Sequence, residues 1–210
     1  MRRALLLAGL LLPVAALAQA PVLPPEPGGR MPNLAPTTPP PPPPAPGAPV
    51  PKATLDTMLG ALKVAPTDEL AEALEGQIRQ AWSNQASPAV KLLLSRGARE
   101  MEESAGGEAV DSFDAALDLE PDLLEAWRGR AQARLRIGDS TGAVRDIEEV
   151  LRREPRHFAA WEDLSRIAEN RGDWQGALAA WQKALQVSPR TPGGQDRLHD
   201  LERRALGERA

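Results

Sequence analysis

The 210-residue chain contains no cysteine. That excludes disulfides, thiol nucleophiles, cysteine-ligated metals and a lipid anchor on a cysteine. It also suits an oxidising compartment, where a stray thiol is a liability. Histidine is nearly as scarce. His157 and His199 are the only two, and they form no helical i, i+4 pair of the kind that binds zinc. No metal and no cofactor are therefore expected. A basic stripe is missing too. Acidic and basic residues are mixed along the domain, and the formal net charge of the chain is −4. Neither nucleic acid nor an anionic membrane surface is expected as the main partner. No phosphate loop, no G-x-S-x-G and no H-E-x-x-H occurs, so the chain is not expected to be an enzyme.

Long hydrophobic runs are confined to one place. Residues 1–20 read MRRALLLAGLLLPVAALAQA. Arg2 and Arg3 precede an apolar run, and small residues follow at Ala16, Ala18 and Ala20. This is the pattern of a secretory signal peptide. The run is too short to span a bilayer comfortably, since a span needs about 20 apolar residues. Cleavage after Ala18 is preferred, because Pro21 would follow a cut after Ala20. The expectation is a signal over 1–18 and a periplasmic protein without stable membrane insertion. Residues 19–51 then form a spacer dominated by proline, including the unbroken run Pro39 to Pro44. Proline fixes φ and removes a backbone donor, so this stretch favours extended polyproline II and a disordered tether. The composition alone does not say whether anything recognises it.

The rest of the chain repeats itself. Pro121, Pro155 and Pro189 are evenly spaced by 34 residues. Ahead of them, Ala109, Ala143 and Ala177 share a place. So do Val110, Val144 and Leu178; Phe113, Ile147 and Trp181; Ala116, Val150 and Ala184; Leu117, Leu151 and Leu185. Within each unit these places are i, i+1, i+4, i+7 and i+8, one face of a helix. A second helix precedes it, with Leu93, Trp127 and Trp161 at one place and the small residues Gly97, Ala131 and Ser165 at another. Gly138 and Gly172 end their helices, and Asp139 and Asp173 are placed to cap the next. The first unit has no glycine at that place and is expected to turn at Gly106 and Gly107. Each unit is thus helix, tight turn, helix, turn with proline.

These residues resemble the tetratricopeptide repeat. The third copy carries the fullest match, with Trp161, Leu164, Ala168 and the segment GDWQGALAAWQKALQVSP from Gly172 to Pro189. The second keeps Trp127, Ala131, Gly138, Ala143 and Pro155. The segments EPRHFAAW and LLLSRGAREME also resemble small secreted alphaproteobacterial members of that family. The resemblance implies an all-α solenoid of helical hairpins, about nine helices in all, with three repeats over residues 89–189. Residues 52–88 supply two capping helices. Leu55, Met58, Leu59 and Leu62 stripe the first; Leu70, Ala73, Leu74, Ile78 and Ala81 stripe the second, which Thr67 caps. This pair is expected to shield the first repeat. A closing helix with Leu198, Leu201 and Ala205 falls within residues 190–210.

The first helix of each unit should line the concave face. One turn off the core stripe stand Leu94, Ala98 and Met101, then Arg128, Gln132 and Arg136, then Glu162, Arg166 and Asn170. Such a face suits an extended peptide or a helix of mixed sequence, and equally an ordinary solvated surface. Some family members clamp a C-terminal carboxylate with Lys and Asn at these places. Here Arg128 and Gln132 occupy two of them and the others are unmatched. Arg152, Arg153, Arg156 and His157 cluster at the turn between the second and third units. They either complement the helix end or contact an anion beside the groove. Trp127, Trp161 and Trp181 are expected in the core; Trp82 is undetermined. The functional expectation is a periplasmic adaptor whose concave groove, built from Arg128, Gln132, Arg136, Glu162, Arg166 and Asn170 with Arg156 and His157 beside it, binds a protein partner. The alternative is a structural spacer or self-assembling envelope element without a peptide ligand.

Overall fold

A computed structural model describes residues 50–207. The expected signal and nearly all of the proline spacer lie outside the described residues, as do the last three positions. Among the described residues there are nine α-helices and no strand. No described helix is long and apolar enough to cross a membrane.

Three helical hairpins carry the repeat. They are α3 (Pro88–Glu102) with α4 (Gly106–Leu119), α5 (Leu124–Arg136) with α6 (Ser140–Arg153), and α7 (Phe158–Asn170) with α8 (Trp174–Val187). Each hairpin packs internally, and α4 stacks on α5 as α6 stacks on α7. The aligned small and large residues form the seams. Ala109, Ala143 and Ala177 are buried, as are Phe113, Ile147 and Trp181. The helix ends follow from local chemistry. Asp139 accepts from the Gly142 amide at 2.8 Å and Asp173 from that of Gly176 at 2.9 Å, satisfying otherwise orphaned donors. Gly138 and Gly172 take φ of +85° and +73° to end α5 and α7. In the first unit Ser104, not Gly106 or Gly107, adopts the matching left-handed turn at φ +63°. Both glycines lie inside α4. The 34-residue frame therefore overrides the local glycine preference.

The indoles fasten the turns to the helices. Trp127 Nε1 donates to the Pro121 carbonyl at 2.7 Å, and Trp161 Nε1 to that of Pro155 at 2.8 Å. Their rings are half-buried between neighbouring units. At the far end α9 (Gly194–Ala205) closes the stack through buried Leu201. There Trp181 Nε1 donates to the Gly194 carbonyl at 2.9 Å.

The N-terminal pair departs from expectation. α1 (Lys52–Lys63) and α2 (Asp68–Ser83) form a hairpin, with Thr67 capping α2 as the sequence indicates. It does not sit on the first repeat. Leu55, Leu59, Leu62, Ile78 and Trp82 form one apolar cluster with Phe158 and Ala159 at the start of α7, joined by Leu124 of α5 and Val187 of α8. The hairpin thus folds back to the third repeat. The buried face of α2 is also rotated from the expected stripe. Leu70 and Ala73 are exposed, whereas Glu75 is only 2% exposed. Hydroxyls of Ser188 and Thr191 donate to Glu75 at 2.6 and 2.8 Å, and Arg79 pairs with it at 2.7 Å. A charged side chain became interior because it met three donors.

Candidate functional site

A groove of about 440 Å³ opens along the first helices of the three repeats. Met101 comes from α3; Ala131, Gln132, Leu135 and Arg136 from α5; Asp163, Arg166, Ile167 and Asn170 from α7. The 34-residue step explains this alignment, because equivalent places on successive first helices face the same side. Half-buried Met101 and Leu135 supply the accessible apolar surface above buried Ala131 and Ile167, and the polar groups stand around them.

Asp163 organises the site. It is 4% exposed, yet it accepts from three side chains on two helices. Arg128 Nε lies at 2.7 Å, Gln132 Nε2 at 3.1 Å and Arg166 Nη1 at 3.1 Å. Sequence reading passed over Asp163. The usable signal was its place: Ser95 and Gly129 stand there in the other two repeats, so a carboxylate in a slot otherwise filled by a small residue implies partners on the neighbouring helix.

Of the eight expected groove residues, Gln132, Arg136, Arg166 and Asn170 come together on the open groove. Arg128 does not line it. Its guanidinium is held by Asp163 and, at 3.2 Å, by Glu125. Those two carboxylates outweigh burial and raise the Arg128 pKa further. Arg128 thereby ties α5 to α7 and is not a free anion receptor. Glu162 faces a separate cleft of about 360 Å³, shared with Glu72, Glu75 and Arg79 of α2 and with Arg166 and Arg197. Burial pushes the Glu162 carboxyl up, against the pull of Arg79.

Arg156 and His157 stand away from the open groove. Arg156 pairs with Glu154 at 2.8 Å and with Asp56 of α1 at 2.7 Å. The Glu154 carboxyl is held below its usual range: Arg156 donors and charge overcome the upward push of burial. His157 is fully buried. Its Nδ1 accepts from the Ala160 amide at 3.2 Å and so caps α7. Its ring stacks on Trp82 with centroids 3.8 Å apart. The remaining arginines of that cluster are spent locally: Arg152 pairs with Glu149 of α6 at 2.7 Å, and Arg153 reaches Asp122, in the turn before α5, at 3.4 Å.

Known proteins align with this architecture. Residues 106–146 and 130–194 match the family profile described as tetratricopeptide repeat. A TPR repeat-containing protein from Rhizobium etli is 32% identical over 159 residues, covering 76% of this chain and 78% of that protein. The chain belongs to the tetratricopeptide repeat family. Among solved structures, the Sgt2 TPR domain from Aspergillus fumigatus superposes with a TM-score of 0.54 at 24% identity, covering 58% of this chain and 82% of that domain. The first TPR of Spaghetti (RPAP3), solved bound to the HSP90 peptide SRMEEVD, superposes with a TM-score of 0.52 at 17% identity, covering 57% of this chain and 94% of that one. At these identities the likeness is one of fold.

Proposed function

We propose that this chain is an exported protein-binding adaptor, and that its ligand is a peptide segment carrying an acidic group beside an apolar side chain. The observation that supports this most is the open groove: half-buried Met101 and Leu135 lie beside exposed Arg136 and a 57%-exposed Arg166 side chain. An acidic segment gains charge-assisted hydrogen bonds from Arg136 and Arg166, while its apolar side chain covers the hydrophobic surface. A protein of the same fold was solved with the acidic peptide SRMEEVD bound, which supports the same ligand class. Arg128 is left out of the reading because Asp163 and Glu125 already neutralise it. The leader pattern of residues 1–20 supports export to the periplasm, where the partner is expected to be another envelope protein.

Crosslinking in intact cells, followed by mass spectrometry of adducts formed by a photoreactive group at Gln132, tests this. Wild type should form discrete protein adducts. The Arg136→Glu, Arg166→Glu variant should lose them while keeping its helical circular dichroism. Equal adducts from both proteins would sink the groove assignment. Recovery of protein beginning at Gln19 from the periplasmic fraction supports export, and an uncleaved cytoplasmic chain refutes it.

A further inference from the structure

By folding back onto the third repeat, α2 adds a wall beside α7. The cleft of about 360 Å³ described above is lined by Glu72, Glu75 and Arg79 of α2 and by Glu162 and Arg166 of α7. It meets the open groove at Arg166, which lines both. Glu162, Arg166 and Asn170 stand four residues apart on α7 and so share one face of that helix. That face runs from the open groove at Asn170 into the cleft at Glu162.

The charges of the cleft do not cancel. Arg79 is taken by Glu75 at 2.7 Å. Arg197 is taken at 2.9 Å by Glu169, which does not line the cleft, and lies 4.9 Å over the Trp181 ring. Arg166 reaches Asp163 through Nη1 at 3.1 Å. Glu72 and Glu162 are left over. Among the described residues neither has a hydrogen bond or an ion pair. Glu72 is exposed and Glu162 half-buried. Burial disfavours the charge on Glu162, and the attraction of Arg79 does not offset it. A cation entering the cleft would supply the partner that both carboxylates lack.

We infer that the cleft is a second pocket on the peptide track, and that it takes a lysine or arginine side chain of the same segment whose acidic group sits in the open groove. Glu162 and Glu72 receive the cation; Arg136 and Arg166 receive the acid. The step from Arg166 to Glu162 is about 6 Å along α7, the reach of about two residues of extended chain. Side chains two apart in an extended chain face the same way. The ligand is therefore an extended segment with an acidic and a basic residue two positions apart, and not a uniformly acidic one. Adjacent pockets of opposite sign also fix the register in which the segment lies. This assignment rests on the open groove being a peptide site, and the experiment below separates the failure of one from the failure of the other.

Random heptapeptides displayed on phage are selected against the full mature chain, against its Glu72→Gln, Glu162→Gln variant and against Arg136→Glu, Arg166→Glu. Circular dichroism verifies that each is folded; glutamine keeps the size of the side chain it replaces. Wild type should enrich peptides with Asp or Glu two positions from Lys or Arg. The glutamine variant should keep the acidic preference and lose the basic one. In anisotropy titrations of the best wild-type peptide, replacing its basic residue by alanine should weaken binding to wild type at least tenfold and leave binding to the glutamine variant unchanged. Acidic enrichment without a basic partner overturns the inference and leaves the open groove standing as a peptide site. A basic preference that survives in the glutamine variant overturns it as well. Pools without acidic enrichment, indifferent to the arginine substitutions, sink the groove assignment and this one with it.

Discussion

Ser104 shows how much a single position is asked to bear. It holds φ +63° at the place where the other two repeats use Gly138 and Gly172. A Cβ in the left-handed region crowds the following carbonyl, which glycine avoids. The side chain of Ser104 is exposed, so nothing else depends on it. Ser104→Gly is expected to stabilise the chain by about 0.5–1 kcal/mol, the relief of strain being partly offset by a more flexible unfolded state. A higher urea midpoint with unchanged slope would show it; a lower midpoint would mean the turn gains more from serine than its backbone loses. Asp163 and Glu75 teach a related lesson. Both are buried carboxylates, and each is tolerated because several donors converge on it.

Among the elements, α4 is held by an aromatic wedge. The Phe113 ring wedges between α3 and α5, against Gly97 on one side and Gly129 on the other. A methyl built at Gly97 would meet the ring at 2.8 Å, and one at Gly129 would overlap it as well. The two glycines are what let three helices close around one aromatic ring. Gly129→Ala is expected to cost about 1–3 kcal/mol, the usual penalty for overpacking, even though alanine favours the helix. Thermal melts of Gly129→Ala alone and with Phe113→Leu check the cause. The smaller side chain should recover part of the loss. No recovery would place the damage in the backbone and not in the wedge.

At the scale of the whole molecule, the ends of a repeat stack are its weak points, because each unit buries its face on the next. The C-terminal end is covered by α9, where Leu201 packs with Trp181 and Ala184. A chain ending at Pro192 would expose that cluster and deprive the buried Trp181 indole of the Gly194 carbonyl. It is expected to lose roughly 3 kcal/mol or more and to expose apolar surface. Urea unfolding monitored by tryptophan emission, with dye binding to exposed apolar surface, checks this; unchanged stability would show that α9 is dispensable. The other end is managed differently. The α1–α2 hairpin covers the third repeat instead of the first, and Leu92 on α3 is left 70% exposed. One end is capped in the ordinary way, and the N-terminal pair serves a surface further along the array.

The 34-residue period, the hairpins, the caps at Thr67, Asp139 and Asp173 and the closing helix were legible in the chain. They rest on local rules: periodic apolar faces, glycine or aspartate at turns, and proline at the junctions. Half of the expected groove was legible for the same reason, since Gln132, Arg136, Arg166 and Asn170 follow from helical phase alone. The hairpin's destination was not. Asp56 meets Arg156, and Asp68 meets Arg190, across about a hundred residues or more of sequence, and no local pattern ranks one repeat over another as a dock. The fate of Arg128 was hidden too, because its phase matches that of Arg136 while its charge is spent on Asp163 of the next repeat. Periodicity sets which way a side chain points; what it meets there depends on residues that folding brings together from other repeats.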